Sequence, residues 1–296
     1  MSQFLRHSAQ VRSYDFFCRA DSATRTRLLS ASGPTAGSSF VAPLSTAGVH
    51  YSDLQWAGAV GWRLGIPAPG PAVTCLNERR NGQPCNEHLD ATGDHAVECG
   101  IGPLRTFRHD NLADAWADIF EETGALARRE VFVQELSDTQ EAWLDVWGYG
   151  ISELPDALLD ITVRHPKADR YQPGAASFWG HAAAKAEQEK HEKYPARMGR
   201  SVWAIAHETW GRLGYDAEQL LVTCSAAASR RSYRRGRVPG NCLRRWRAQL
   251  DAILHRGIVA QLDAARFGLP GRSKHRKAPV DCSALEANSA LSGGQF

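Results

Sequence analysis

Two short apolar runs in the middle of the chain set the expected fold. In WLDVWGYGISELPDALLDITVRHP (143–166), branched and aromatic residues cluster as they do in strands, and each run carries one carboxylate, Asp145 and Asp160. The Gly-, Ser- and Pro-containing residues 148–156 read as a turn, so the runs predict an antiparallel hairpin. Centred on Ser152 and Glu153, the reversal pairs residues whose numbers sum to 305, and Asp145 then faces Asp160. Asp156 follows a literal Pro, but only three residues separate it from Asp160, too few for a strand, a turn and a second strand. Pro155 and Asp156 are therefore read as turn residues.

The helical period appears on both sides of this hairpin. Short helices are predicted over 21–30 and 51–64, the second ending at Gly65. A helix running to about Thr123 and closed by Gly124 shows the core stripe Leu112, Ala115, Trp116, Ile119 and Phe120. Residues 128–136 alternate as a first strand, and 201–206 read as a buried strand. Between them, 181–194 place Ala183, Ala186, Glu187, Lys190 and Tyr194 on one helical face, and small alanines let that face approach a sheet. An amphipathic helix over 241–267 follows, through Leu243, Trp246, Leu250, Ile253 and Leu254. The whole is an α/β pattern, a mixed sheet with helices on both faces.

Two neighbouring carboxylates repel unless a proton or a divalent cation lies between them, and hard oxygen donors of this kind suit magnesium. Lys190 on its helix face is placed to reach them. Two acids, a metal and a lysine are a hydrolytic constellation for a phosphodiester. Glu208, at the end of the 201–206 strand, is a further acidic candidate, or an acid at a strand end with no part in chemistry.

Cysteines add a second constellation. Cys75, Cys85, His95 and Cys99 lie in a polar segment flanked by Pro and Gly, and His95 and Cys99 have the spacing that puts both ligands on one side of a short helix. A Cys/Cys/His/Cys set of four protein ligands predicts a structural zinc, with no open position for chemistry, and His88 is a spare ligand candidate. Seven cysteines in all, with no secretory leader in the first twenty residues, point to a reducing, intracellular setting. No apolar run is long enough to span a bilayer.

The chain of 296 residues has a net charge of only +3, so the location of charge matters more than its total. Eight arginines fall between 230 and 247, namely Arg230, Arg231, Arg234, Arg235, Arg237, Arg244, Arg245 and Arg247, with Tyr233 and Trp246 interleaved as candidate base-stacking residues. Nucleic-acid contact is the reading this density favours. Arg105 and Arg108 precede a helix start, where a phosphate is also favoured.

Asp145, fourteen intervening residues, Asp160-Ile-Thr-Val, and Glu189-Lys190-His-Glu-Lys193-Tyr194 together resemble the restriction-enzyme-like endonuclease domain of non-LTR retrotransposons, a branch of the PD-(D/E)xK nucleases whose lysine has migrated to a helix. Leu144 stands where that family usually has Pro, and Thr162 where the wider superfamily has its lysine. Gly93-Asp94-His95-Ala96-x-x-Cys99 is similar to the zinc knuckle that precedes the domain, and Gly211-Arg-Leu-Gly214 to its later turn, so the likeness covers roughly 71–225.

The resemblance implies a restriction-endonuclease-like fold and a magnesium-dependent nickase of target DNA. Asp145, Asp160 and Lys190 would be catalytic, and Arg108 and His109 would contact DNA. DNA, and the element's own RNA, would be partners, in the nucleus. The corresponding layout is an N-terminal helical linker (1–70), a zinc knuckle (71–103), the nuclease core (104–238), a C-terminal helix (239–267) and a disordered tail (268–296) holding a basic nuclear-targeting candidate at 272–277. A second reading, a relative that binds nucleic acid but no longer cuts it, fits the same residues.

Overall fold

The computed structural model describes residues 13–67, 74–136, 142–151, 154, 156–197, 199–235 and 240–269. The chain forms a mixed α/β fold around one four-stranded sheet, ordered β1(Leu126–Phe132), β2(Trp143–Tyr149), β3(Ala157–Arg164), β4(Val202–Glu208). The first two pairings are antiparallel and β3 with β4 is parallel. Val146 pairs with Leu159, Trp147 with Leu158 and Gly148 with Ala157, which is the register that sums to 305. Gly148 is required there, because a Cβ at that position would lie 2.5 Å from the Phe120 ring.

Helices cover both faces. α1(Ser22–Ser30), α2(Asp53–Leu64) and the short α3(Asp94–Glu98) precede α4(Leu104–Thr123); α5(His181–Lys193), α6(Tyr215–Arg234) and α7(Cys242–Phe267) follow β3 and β4. The main core joins α4, α6 and α7 to one sheet face through Trp116, Phe120, Leu159, Ile205, Leu221 and Trp246. On the opposite face, Ala183 and Ala186 of α5 pack on Ala206 of β4, the close approach that the alanine stripe predicts.

The N-terminal segment forms the two expected helices and packs on the core: Trp62 donates to the Thr209 carbonyl at 3.1 Å, and the Gly37 and Ser39 amides both donate to the buried Asp251 carboxylate at 3.0 Å. Helix α6 is an element that the sequence analysis does not predict. Its stripe of Ala217, Leu220, Leu221, Cys224, Ala227 and Ala228 has the i, i+3, i+4 period and is buried along its length. Most of the predicted tail, including 272–277, lies outside the described residues.

Candidate functional site

β2 and β3 separate beyond the Val146–Leu159 pair, and β3 turns instead to β4. The next two residues in register are Asp145 and Asp160. Asp145 turns its carboxylate onto the freed Ile161 amide, which donates to Oδ2 at 2.5 Å. On β1 the residue opposite Asp145 is Glu130, whose left-handed φ of 53° interrupts the ladder there. The acidic pair thus sits where the sheet has loose backbone on both sides.

Each carboxylate has a cation. Lys190 of α5 donates its Nζ to both oxygens of Asp160 at 2.7 Å. His109 of α4 lies with Nε2 3.3 Å from Asp145 Oδ2, and its Nδ1 is 3.1 Å from Asp110. The Asp145 hydrogen bond, set against burial, lifts His109 to about 9, so the imidazolium is the form present at neutral pH. Asp160 is almost wholly buried, and burial pushes its carboxyl upward; Lys190 opposes that rise and the charge of Asp145 adds to it. The two acids therefore feel each other. Asp156 is elsewhere, 3.8 Å from Arg200.

What fixes Lys190 comes from another element. Helix α5 starts at Gly180, which has no capping side chain. Its first amides, Ala182 and Ala183, instead donate to the buried Glu208 carboxylate of β4 at 3.0 and 3.1 Å. Glu187 of α5 does the same for α6, accepting from the Asp216 amide at 3.0 Å, and burial pushes it up to about 7. Glu208, which the sequence left open between a site acid and a strand-end acid, is a helix anchor. His109, a candidate DNA contact, is a partner of Asp145.

Cys75, Cys85, His95 and Cys99 come together with their ligand atoms all within 4.8 Å of one another. The Cys75 and Cys99 sulfurs are 3.9 Å apart, Cys85 and Cys99 are 3.7 Å apart, and Cys85 Sγ lies 3.5 Å from His95 Nε2. A tetrahedral ion with metal–sulfur bonds of about 2.3 Å needs sulfurs about 3.8 Å apart, so this donor set can hold a metal such as zinc. Burial, with the adjoining thiols, pushes Cys75 up to about 12, a cost that a cation removes. Asp90 accepts from the Asp94 and His95 amides at 3.0 and 2.8 Å and aims His95 inward. His88, the spare ligand candidate, is exposed and lies outside the cluster.

The basic residues divide. Arg230, Arg234 and Arg235, with Tyr233, are exposed at the end of α6, and Arg231 lies against Gly124. Arg237 lies outside the described residues. Arg245 and Arg247 are bound to Glu122 and Glu218, and Trp246 is fully buried with its indole on Glu122, so Trp246 is core and no base-stacking residue. Arg108, a candidate DNA contact, is buried, its Nη1 on Gln261 at 2.5 Å. Its place on the Arg108–Leu112–Ala115 stripe already points to the core.

No family model, curated protein or solved structure matches the chain. Among the described residues no helix is long and apolar enough to cross a membrane.

Proposed function

We propose that the chain is a metal-dependent DNA endonuclease of the restriction-enzyme-like kind that its motifs resemble. The observation that carries this reading is Lys190 on Asp160, beside Asp145, at the point where the sheet opens. A buried and a half-buried carboxylate next to an ammonium group suit a substrate that brings its own negative charge and a divalent cation. The donor chemistry fits magnesium: two hard carboxylates whose mutual repulsion a cation relieves. Held by Asp145 and Asp160, magnesium would supply Lewis acidity to the scissile phosphate.

The remaining work falls to the chain itself. Lys190, anchored through Glu208 at the far end of its helix, orients a water or offsets charge on the phosphate oxygens. His109, protonated, holds Asp145 and its own ring in place. The Cys75, Cys85, His95 and Cys99 module holds a structural zinc in the manner of the resembling knuckle. Asp94 ties it to the core through Lys167 and through His165 at 3.2 Å. The exposed arginines at the end of α6 meet the duplex backbone, which favours position over sequence.

The test is cleavage of an end-labelled duplex oligonucleotide in magnesium or manganese by wild type, Lys190→Met and Asp160→Asn. Cleavage by wild type, lost in both variants while duplex binding persists, supports the reading. Binding with no cleavage by wild type under either metal favours the binding-only alternative.

A further inference from the structure

Beyond the acidic pair, the C-terminal end of β3 opens into a cavity of about 540 Å³, between the first turns of α4 and the loop that follows β3. Its inner wall is Arg108, only 3% exposed. Among the described residues this guanidinium has the neutral side-chain oxygen of Gln261 as its hydrogen-bond partner, and its Nε has none. The stem passes over Gly257 of α7, where a Cβ would lie 2.6 Å from Arg108 Cγ, so the packing of two helices is shaped to let the arginine through. Desolvation, with Arg105 nearby, lowers Arg108 to about 9. A buried arginine without a carboxylate is costly unless an anion completes it.

The other walls repeat the pattern. Arg164 uses Nη2 for Glu189 at 3.3 Å, but its Nε is buried without a partner. Tyr171 is 2% exposed, and its hydroxyl is buried beside Arg170. The guanidinium of Arg170 lies 4.6 Å over the Tyr171 ring, and Arg105 and Arg170 are exposed at the mouth. Two acids, Glu98 and Asp169, also border the cavity, so four arginines face two carboxylates.

We propose that this cavity is a phosphate-binding subsite, with Arg108, Arg164 and Tyr171 as its inner donors and Arg105 and Arg170 at its mouth. Planar guanidinium groups match the oxygens of a phosphate in pairs, and the volume leaves room for the sugar that bears it. That the phosphate belongs to a nucleic-acid strand rests on the endonuclease reading; the subsite itself does not. Asp160, Thr162 and Arg164 alternate onto one face of β3, and four residues of strand span about 13 Å. A strand cut at Asp160 would therefore reach the cavity with a phosphate further along the same strand.

The experiment is isothermal titration of the zinc-loaded full chain, without magnesium, using inorganic phosphate and thymidine 5′-monophosphate. The proteins are wild type, Asp160→Ala, Arg105→Ala and Arg170→Ala; both mouth arginines are exposed, and circular dichroism verifies that their variants fold. Binding to wild type and Asp160→Ala alike, weakened about tenfold by each mouth variant, is the expected result. Tighter binding of the nucleotide than of inorganic phosphate assigns the site to a nucleic-acid phosphate, and equal binding assigns it to the free ion. No binding, or binding indifferent to both arginines, overturns the subsite. Phosphate binding by a wild type that cleaves nothing leaves the subsite standing and removes the nuclease; cleavage without phosphate binding does the reverse.

Discussion

Replacing Glu208 tests how the fold holds its lysine. The carboxylate is about 1% exposed and receives the Ala182 and Ala183 amides at 3.0 and 3.1 Å. Alanine at 208 would strand both amides in the interior, and each buried donor left unsatisfied costs about 1–3 kcal/mol, so Glu208→Ala should lose about 2–6 kcal/mol. Glutamine keeps an acceptor oxygen and removes the charge. Burial raises the Glu208 carboxyl, so its charged form is disfavoured in the fold, and Glu208→Gln should stay within about 1 kcal/mol of wild type. Equilibrium urea unfolding measures both, and amide exchange at Ala182 and Ala183 reports the cap directly. A position-190 lysine seven residues down α5, about 10 Å away, should then lose its hold on Asp160, so Ala lowers cleavage more than Gln does. The reasoning fails if Glu208→Ala unfolds at the same urea concentration as wild type, or if the two amides exchange no faster.

Three further outcomes follow from the same geometry. Purified chain should release about one zinc per molecule to a chromophoric chelator on thiol modification, and Cys99→Ser or His95→Ala should carry none; a metal-free chain with the same thermal midpoint would remove the structural role. His109 should titrate near 9 by NMR and fall toward its ordinary range in Asp145→Asn. Because its folded value is raised, its stability contribution is complete below about 6.5 and is lost as pH rises through about 9; an unchanged titration in the variant would contradict the pairing. Glu187, raised to about 7 by burial, contributes stability that is complete below about 4.5 and is lost as pH rises through about 7, so Glu187→Gln should flatten the stability curve between those values, by up to about 3 kcal/mol, and an unaltered slope would show that Glu187 titrates normally.

The hairpin was legible because period-two patterning and a Gly/Pro turn fix register locally, and one register alone set the two aspartates together. The alanine face of α5 and the Cys/His spacing were legible for the same reason: the partners are close in sequence. The caps that Glu208 and Glu187 supply were not, since each joins elements whose proximity only the tertiary fold creates. Trp246 is a different case: its residue type suits base stacking, yet it lies on the apolar stripe of α7, and that period places it inside. In helix α6 the apolar stripe shares the element with Arg231 and Arg234 of its last turn, so period and charge point in different directions.

Phosphodiester hydrolysis at Asp145, Asp160 and Lys190 is read from supercoiled plasmid incubated with the zinc-loaded chain in magnesium, beside Asp160→Ala and a chelator control. Conversion to open circles by the wild type alone is the predicted result. Equal nicking by Asp160→Ala, or none by wild type in magnesium or manganese while the duplex is still bound, would contradict it.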